Sequence, residues 1–335
     1  MGVNAPVKAA VLAIDAGNSK TDVALVGADG SVLGAARGDG FQPPVVGVEA
    51  AVDVLAAAVA EAAREAGPGG PPGGPPYAAH VSACLANADL PVEEAELTAA
   101  LERRGWAGTT EVRNDTFALL RAGVDEPRGV AVVCGAGINC VGMLPDGRTA
   151  RFPALGRISG DWGGGGGLAE EALWFAARAE DGRGEPTELV RALPGHFGLP
   201  TMYALIEALH LGRVPAARRH ELAPVLFAVA RAGDPIALGL VHRLADEVVA
   251  LSTVALRRLD LLDEEVPVVL GGSVLAARHP DLDARIAELL AEKAPKATLR
   301  VVTAPPVLGA ALLGLDRVGA DAGAATRLRE RYRRG

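Results

Sequence analysis

Residues 9–21 read AAVLAIDAGNSKT, an apolar run followed by a carboxylate, a glycine and four polar side chains. The run from Ala9 to Ile14 has the length and composition of a buried β-strand, and the glycine lets the backbone turn sharply after it. A second apolar run follows at Val23–Val26, and the turn Ala28-Asp29-Gly30 leads to a third at Val32-Leu33. The pattern predicts three short strands joined by two tight turns.

The second half of the chain opens in the same way. Val130–Val133 is a predicted strand, the glycine turn Gly135-Ala136-Gly137 joins it to a strand at Val141–Leu144, and the turn Pro145-Asp146-Gly147 follows. A chain of 335 residues is long enough for two domains that each bury a core. The repeated unit therefore predicts two similar α/β domains.

Further predicted elements fill the two halves. In the first half they are the helix Glu49–Glu65, a Gly/Pro-rich loop over Gly67–Pro76, the strand Val81–Leu85, the helix Glu93–Arg103, the strand Glu111–Arg113 and the helix Thr116–Arg121. Residues from Leu168 to about Leu262 are almost wholly helical in pattern. They are followed by the strands Val266–Leu270 and Thr298–Val302, the helices Asp283–Glu292 and Val307–Leu315, and a basic tail, Arg327–Arg334, that is expected to be frayed.

The composition excludes several classes of function. The chain carries 33 Lys and Arg against 41 Asp and Glu, a formal net charge of -8, whereas nucleic-acid binding needs an excess of basic residues. No apolar run reaches the roughly 20 residues of a membrane span, and no basic segment leads into an apolar one at the N-terminus. Three cysteines and six scattered histidines favour neither a disulfide framework nor a structural zinc site. We therefore expect a cytoplasmic protein with no nucleic-acid or membrane partner.

Three predicted strands end in glycine turns, at Asp15–Thr21, Gly135–Asn139 and Gly271–Ser273. Glycine lets backbone N–H groups approach an anion without a Cβ in the way. The first turn adds side-chain donors and a positive charge that suit a polyphosphate, on Asn18, Ser19, Lys20 and Thr21. Asp15 is suited to hold Mg²⁺ through water, because that ion favours one or two carboxylates plus phosphate oxygens. Plain hairpin turns are the alternative.

Two familiar nucleotide-binding signatures are missing from the sequence. It contains no GxxxxGK[ST], so the chain is not a P-loop protein. The run Gly163–Gly167 matches GxGxxG only trivially and follows no strand of a βαβ unit, which disfavours a dinucleotide fold.

The glycine turns belong to a longer series of motifs, namely IDAGNSKTD over Ile14–Asp22, Asn114-Asp115, CGAGINC over Cys134–Cys140, Gly160-Asp161 and LGGS over Leu270–Ser273. In this order, and over nearly the whole chain, they resemble the N-acetylglucosamine kinases of the BadF/BadG/BcrA/BcrD ATPase family, within the actin, sugar kinase and Hsp70 superfamily. The resemblance implies an α/β fold of two duplicated ribonuclease-H-like (actin-like ATPase) domains, with an interdomain cleft and a helical insert in the second. The first domain would comprise residues 1–128 and 305–335, and the second residues 129–304.

The resemblance also implies a role for each turn. The first phosphate loop would be Gly17, Asn18, Ser19, Lys20 and Thr21, the second Gly135-Ala136-Gly137, and the adenosine loop Gly271-Gly272-Ser273. Asp115 stands where these kinases place the carboxylate that accepts a proton from the sugar hydroxyl. The alternative for Asp115 is a helix N-cap, since Asn and Asp favour that position.

Sugar contacts are implied for a further set of residues. Asp161 matches the acidic residue that hydrogen-bonds sugar hydroxyls in the family, although a turn aspartate is the alternative. The other residues that fall where related kinases contact the sugar or its acetamido group are Asn139, Ala154, Leu155, Gly156, Asn114 and Gln42. The chain departs from the family pattern at Trp162, where many relatives carry a second acid, and at Ile138, where relatives often carry serine.

The implied activity is transfer of the γ-phosphoryl group of ATP, with Mg²⁺, to a hydroxyl of an amino sugar by a homodimer. N-acetylglucosamine, yielding its 6-phosphate, is the first candidate, and glucosamine, N-acetylgalactosamine, N-acetylmuramic acid or a plain hexose are alternatives. An ATP-driven activator of a 2-hydroxyacyl-CoA dehydratase is an alternative from another class, but Cys134 and Cys140 suit packed thiols better than iron–sulfur ligands. A non-catalytic sugar-sensing protein is a further alternative, against which Asp115 argues.

Overall fold

The computed structural model describes residues 9–67 and 74–333 of the chain. Most of the predicted Gly/Pro loop, residues 68–73, and Arg334 of the predicted tail lie outside the described residues. The chain divides into two compact units. Unit 1 comprises Met1–Gly129, Val141–Gly147 and Val302–Gly335, and unit 2 comprises Val130–Cys140 and Arg148–Val301.

The described residues form ten β-strands and thirteen α-helices. The strands are β1 (Ala9–Ala16), β2 (Lys20–Val26), β3 (Val32–Asp39), β4 (Ala78–Leu85), β5 (Ala107–Asn114), β6 (Gly129–Cys134), β7 (Ile138–Met143), β8 (Thr149–Arg151), β9 (Val266–Gly271) and β10 (Ala297–Val301). The helices are α1 (Pro43–Val46), α2 (Val48–Glu65), α3 (Pro91–Glu102), α4 (Thr116–Gly123), α5 (Gly164–Glu180), α6 (Leu189–His196), α7 (Met202–His210), α8 (Leu222–Arg231), α9 (Pro235–Arg258), α10 (Gly272–Ala276), α11 (Pro280–Lys293), α12 (Pro306–Arg317) and α13 (Ala322–Arg333). The strands β3 and β5 extend several residues beyond their predicted bounds.

The sheet of unit 1 has the strand order β3-β2-β1-β4-β5. The strands β1, β2 and β3 are antiparallel neighbours, whereas β4 and β5 run parallel to β1. Successive residues of a strand point to opposite faces of the sheet. Leu12 and Ile14 therefore belong to the core formed with α2 and α3, and Val11 and Ala13 belong to the core formed with α12 and α13. Helices thus cover both faces of this sheet.

The C-terminal segment is a packed helix, so the predicted frayed tail was wrong. Ala324 and Leu328, four residues apart and so on one face of α13, are buried in the core beside α12. Arg329 donates hydrogen bonds to the carbonyl oxygens of Arg121 at 3.0 Å and Ala122 at 2.8 Å. The many arginines of the segment predict a solvated tail, but two buried apolar residues of α13 at helical spacing, Ala324 and Leu328, anchor it.

The second sheet has the order β8-β7-β6-β9-β10, which repeats the order of the first sheet strand for strand. The strands β6, β9 and β10 are parallel, as β1, β4 and β5 are. This correspondence confirms the duplication that the two glycine-turn units predict, and gives the α/β fold of two ribonuclease-H-like halves.

The helices α5 to α9 lie between β8 and β9 in the sequence, where the sequence predicts a helical segment. The longest of them is α9, with 24 residues. Within the described residues no single helix has the length and apolar composition of a membrane span. One strongly bent pair, Ala216–Arg231 with Pro235–Arg258, passes that test by length and composition alone.

Candidate active site

The carboxyl ends of three parallel strands form one edge of the sheet in unit 1. Asp15, near the end of β1, is paired with Cys84 of β4, which is paired in turn with Arg113 of β5. The chain leaves β5 through Asn114 and enters α4 through Asp115. Ligands of open α/β sheets bind outside this edge, so the topology places both aspartates where a ligand site is expected.

Asp15 and Asp115 both have pKa values above the normal range of a carboxyl. Asp15 is only 8% exposed, and burial, followed by the charges of Asp115 and Asp22, raises its pKa to about 8 although Lys20 opposes the shift. Burial also raises the pKa of Asp115 to about 6. Perturbed acids grouped at a ligand-binding edge are typical of catalytic and cation-binding sites.

The third carboxylate of this group is ion-paired. Arg37 Nε lies 2.7 Å from Asp22, and Lys20 Nζ lies 3.1 Å from it. Burial disfavours the charged form of Asp22, but the hydrogen bonds from Arg37 and Lys20 outweigh it and lower the pKa. The predicted phosphate-loop lysine is therefore held beside Asp22, with half of its side chain exposed.

Asn114 makes the cap of α4, although Asp115 occupies the N-cap position. The Thr116 N–H donates to Asn114 Oδ1 at 2.9 Å, and Asn114 Nδ2 donates to Asp89 Oδ1 at 2.8 Å. Within the described structure the Asp115 side chain does not supply the cap hydrogen bond of α4, although its interactions with the backbone and side chain of Thr116 lower its pKa and partly offset the effect of burial. The side-chain cap of α4 is therefore supplied by Asn114.

The first glycine turn is braced by polar groups from elsewhere in unit 1. The Gly17 N–H donates a hydrogen bond to Lys20 O at 2.9 Å, which closes the turn, and Asn18 and Ser19 within it are exposed. Gln42 Nε2 donates to Asn18 O at 2.8 Å, and Asn87 Nδ2 donates to Asn18 Oδ1 at 3.0 Å. Gln42, predicted as a sugar contact, thus supports the turn with its amide nitrogen, while Asn87 was not predicted at all.

Thr21 differs from the rest of this turn. It is fully buried, and its hydroxyl donates to Asp39 O at 2.8 Å, in the neighbouring strand β3. Its hydroxyl is therefore engaged within the sheet.

In unit 2, the glycine run Gly163–Gly167 supports the second glycine turn. The N–H of Gly165 donates to Gly135 O at 2.7 Å, and the N–H of Gly166 donates to Ala136 O at 3.0 Å. Gly164 has φ +72°, and a Cβ there would lie 2.5 Å from Gly137 Cα. Only glycine allows the start of α5 to lie so close to the turn. Sequence reasoning missed this role, although five consecutive glycines after Asp161 and Trp162 were the signal.

The third turn packs against the strand that carries the second. Gly272 follows β9 with φ +82°, and a Cβ there would lie 2.4 Å from Cys134 O. Cys134 ends β6 and directly precedes Gly135. The structure therefore brings the predicted adenosine loop and the second phosphate loop together within unit 2.

Three of the predicted sugar residues of unit 2, Ala154, Leu155 and Gly156, lie in a compact turn with Asp161. Asp161 Oδ2 accepts hydrogen bonds from Gly156 N–H at 3.0 Å and from Ser159 Oγ at 2.6 Å. Leu155 N–H donates to Ser159 Oγ at 2.8 Å, and Ala154 adopts φ +53°. Asn139 lies on β7, where its Oδ1 accepts from Cys140 N–H at 2.7 Å. These contacts orient Asp161 but use part of its acceptor capacity.

The three thiols are buried, and burial raises the pKa of each: Cys84, Cys134 and Cys140. A buried protonated thiol packs as a small apolar group and is a poor metal ligand. Across residues 9–67 and 74–333, no group of three or more His, Cys, Asp or Glu side chains is arranged to hold a metal ion.

Two duplicated ribonuclease-H-like halves, with glycine turns at the strand ends and acids beside them, define an ATPase of the actin-like class. The chain belongs to the BadF/BadG/BcrA/BcrD ATPase family, whose family model matches residues 12–314. Membership of this family implies the use of ATP.

Curated relatives are similar at low identity. An N-acetyl-D-glucosamine kinase of Dictyostelium discoideum is 26% identical over 241 residues, which are 70% of this chain and 75% of the relative. An N-acetylmuramic acid/N-acetylglucosamine kinase of Clostridium acetobutylicum is 25% identical over 190 residues, which are 57% of this chain and 62% of the relative.

Solved structures share the fold. A protein provisionally named N-acetylglucosamine kinase, from Chromobacterium violaceum, matches with a TM-score of 0.70 and 23% identity, over 92% of this chain and 100% of that one. A ROK family glucokinase from Streptomyces griseus, solved with glucose and AMPPNP, matches with a TM-score of 0.53 and 18% identity, over 97% of this chain and 99% of that one.

Proposed function

We propose that this protein is an ATP-dependent kinase that transfers the γ-phosphoryl group of ATP to a hydroxyl of an amino sugar. N-acetylglucosamine, with the 6-phosphate as product, is the first candidate acceptor. The observation that carries the proposal is Asp115, a carboxylate with a pKa of about 6 that lies at a strand end and does not supply the side-chain cap of α4. The names of the two curated relatives support an amino sugar as acceptor.

Asp115 is the proposed general base. Phosphoryl transfer needs an aligned hydroxyl, stabilisation of charge on the phosphoryl oxygens and an acceptor for the hydroxyl proton. A base is most effective when its pKa lies near the working pH, because it must be ionised yet still able to take a proton. The pKa of Asp115 meets this condition. Asn114 and Asp89 hold the start of α4 and so fix the position of the carboxylate.

Asp15 is the proposed residue for Mg²⁺, which neutralises charge on the phosphates when it is bound. Its carboxyl is suited to a cation because burial and the nearby Asp115 and Asp22 otherwise disfavour its negative charge. A single carboxylate is enough, since Mg²⁺ keeps several waters and binds phosphate oxygens as well.

The proposed ATP contacts are the three glycine turns, Gly17–Lys20 in unit 1 and Gly135–Gly137 and Gly271–Ser273 in unit 2; Thr21 is left out because it is buried and its hydroxyl donates to Asp39 O. Gly135 and Gly137 support this assignment, because a Cβ at either position would meet no described atom within 4 Å and neither has a positive φ. Neither packing nor backbone conformation therefore requires glycine at these two positions. A phosphate that binds close to the backbone does require it, because a Cβ would stand in its way. A cytoplasmic location and a homodimer stay predictions.

Replacement of Asp115 by Asn tests the proposal. Asn keeps the shape but cannot accept the proton, so kcat should fall by about 10²–10⁴-fold while the affinity for ATP and the melting temperature stay close to those of the parent. Asp321 offers a matched control, because its carboxylate caps α13 through Ala324 N–H at 2.8 Å. Asp321→Ala should cost about 1 kcal/mol of stability and leave turnover unchanged.

Turnover of Asp115→Asn within a few-fold of the parent would refute the assignment of the base. The acceptor itself is found by measuring ADP release with a panel of sugars. The panel comprises N-acetylglucosamine, N-acetylmuramic acid, glucosamine, N-acetylgalactosamine and glucose. N-acetylmuramic acid is the second candidate, because one curated relative is named for it. ATP hydrolysis that responds to none of these sugars would refute the kinase proposal.

A further inference from the structure

The first glycine turn is tied to the segment that follows β3 through two successive carbonyl groups. Phe41 N–H donates to Gly17 O at 2.9 Å, and Gln42 Nε2 donates to Asn18 O at 2.8 Å. A Cβ on Gly40 would lie 2.1 Å from Asn18 O, so the segment and the turn are in close contact. A carbonyl oxygen that faced an anion would repel it, but these two oxygens accept hydrogen bonds from the protein instead.

Asn87, in the loop after β4, contacts the side chain at the tip of this turn. Its Nδ2 donates to Asn18 Oδ1 at 3.0 Å and lies 3.4 Å from Phe41 O. Asn87 is half-buried and has φ +62°, in the left-handed region that asparagine adopts more readily than most residues do. A loop that follows another strand of the sheet therefore supplies a donor to the side chain of Asn18.

The contact with Asn87 determines which end of the Asn18 amide is available to a ligand. A carboxamide has an acceptor oxygen at one end and two N–H donors at the other. The oxygen of Asn18 is held by Asn87, whereas its Nδ2 has no hydrogen-bond partner among the described residues and the side chain is exposed. An N–H donor suits an anion such as phosphate, and a reversed amide would present an oxygen that repels it.

From this geometry we infer that Asn87 is a positioning residue for nucleotide binding, which holds the Asn18 amide so that its Nδ2 donates to a phosphate oxygen of ATP. The inference rests on the proposed function, because it takes Gly17–Lys20 as a phosphate loop. Rotation about the last torsion of an asparagine side chain meets only weak preferences. Without Asn87 the amide would therefore present its oxygen to the phosphate in part of the molecules, and binding would be weaker.

Three substitutions test the inference, with the affinity for AMPPNP and Mg²⁺ measured by calorimetry. Asn18→Ala removes the donor and should weaken binding by about 10-fold, since a hydrogen bond to a charged group is lost. Asn87→Gly suits the left-handed backbone, removes only the positioning amide and should weaken binding by about 3- to 10-fold. Asn87→Asp replaces the donor by an acceptor, which would hold the Asn18 amide reversed, so it should weaken binding at least as much as Asn87→Gly.

A double-mutant cycle separates positioning from other effects. If Asn87 acts through Asn18, Asn87→Gly should change the affinity by less than about 2-fold when it is introduced into Asn18→Ala. A general structural role of Asn87, or repulsion of phosphate by the carboxylate of Asn87→Asp, would persist in that background. Asp260→Gly is the matched control, because Asp260 has φ +60°, is exposed and lies outside the proposed ATP contacts. It should leave the affinity unchanged.

The side-chain amide of Asn18 gives a readout that does not depend on turnover. Its signal in heteronuclear NMR is assigned by its loss in Asn18→Ala, and it should shift when AMPPNP and Mg²⁺ bind to the parent. A parent that binds the analogue without a shift of this signal would overturn the inference, and this measurement needs no Asn87 variant to fold.

The outcomes distinguish the two claims. If the parent binds AMPPNP and phosphorylates a sugar, but Asn18→Ala or Asn87→Gly binds the analogue as tightly as the parent, the inference is wrong and the kinase proposal stands. An effect of Asn87→Gly that is as large in Asn18→Ala as in the parent would also overturn the inference alone. A parent that binds no nucleotide would overturn the kinase proposal and the inference together.

Discussion

Asn114 and Asp115 are adjacent in sequence but have different roles in the structure. The sequence predicts that α4 begins at this pair, and either residue type can cap a helix. Asn114 Oδ1 accepts a hydrogen bond from the Thr116 N–H. The amide is held in this orientation because its Nδ2 donates to Asp89 Oδ1, 25 residues earlier in the chain. This choice depends on the pairing of β4 with β5, which no local pattern encodes. The sequence could therefore identify the pair but not decide which residue caps.

The pKa of Asp115 predicts the pH dependence of turnover. A general base must be ionised, so kcat should fall as the pH decreases through about 6, where Asp115 takes up its proton. The fall should approach about tenfold per pH unit for a single group. The measurement is kcat with saturating ATP and sugar from about pH 5 to pH 8, with Asp321→Asn as the control. A kcat that is constant over this range would contradict the assignment.

The raised pKa of Asp15 predicts that stability falls as the pH rises, whereas turnover should increase with pH. Folding raises this pKa from 3.8 to about 8, so the folded state binds the proton more tightly than the unfolded state does. The stability that Asp15 contributes is fully present below about pH 4 and is lost as the pH rises through about 8. Asn does not titrate, so the melting temperature of Asp15→Asn relative to the parent should increase from pH 5 to pH 8. The variant should also lose turnover if Asp15 holds Mg²⁺.

Thermal melting of both proteins without ligand, at several values of pH, checks this prediction. The ion pairs of Asp22 with Lys20 and Arg37 are present in both proteins, so the difference reports the titration of Asp15 together with its coupling to Asp22 and Asp115. If the difference in melting temperature between the two proteins is the same at pH 5 and pH 8, folding does not raise the pKa of Asp15.

At the level of elements, α5 shows where sequence patterns mislead. Glycine is a poor helix former, and the helical pattern predicts a start at Leu168. The helix begins at Gly164 instead, because the N–H groups of Gly165 and Gly166 bond to the second glycine turn and a side chain at Gly164 would collide with it. The requirement for glycine arises from a neighbour that lies far away in sequence, so propensity alone could not reveal it.

This arrangement predicts different effects for two glycines of one run. Gly164→Ala places a Cβ 2.5 Å from Ala136 O at φ +72° and should displace the second glycine turn. We expect a loss of about 1–3 kcal/mol of stability and weaker binding of ATP. A Cβ on Gly167 meets no described atom within 4 Å, so Gly167→Ala should stabilise the helix by up to about 1 kcal/mol. Equal melting temperatures and equal affinities for an ATP analogue, measured by calorimetry, would contradict this account.

At the level of the whole molecule, the two halves repeat one strand order. The sequence predicts the repeat from the turns Ala28-Asp29-Gly30 and Pro145-Asp146-Gly147, because tight turns leave a local signature. The order of the parallel strands depends on long crossovers, and the assignment of Val141–Gly147 to unit 1 depends on three-dimensional packing. Neither is encoded in a short stretch of sequence, whereas the number and type of most elements are.

Because the predicted ligand contacts are divided between the units, ligand binding should leave a defined pattern of amide protection. A non-hydrolysable ATP analogue with Mg²⁺ should slow hydrogen exchange at Gly17–Lys20 in unit 1 and at Gly135–Gly137 and Gly271–Ser273 in unit 2. The expected sugar should slow exchange at residues 156–163. The helix α13 carries none of the predicted contacts and serves as the internal control.

Each alternative predicts a different exchange pattern. If the glycine turns are plain hairpins, the ATP analogue should leave all three unchanged, whatever it does elsewhere. If the protein binds nucleotide but no sugar, the three turns should be protected and residues 156–163 should not respond to any sugar of the panel. Protection of the turns in one unit only would contradict the assignment of ATP contacts to both halves of the duplicated fold. Protection in both, with added protection at 156–163 by an amino sugar, is the outcome that a sugar kinase requires.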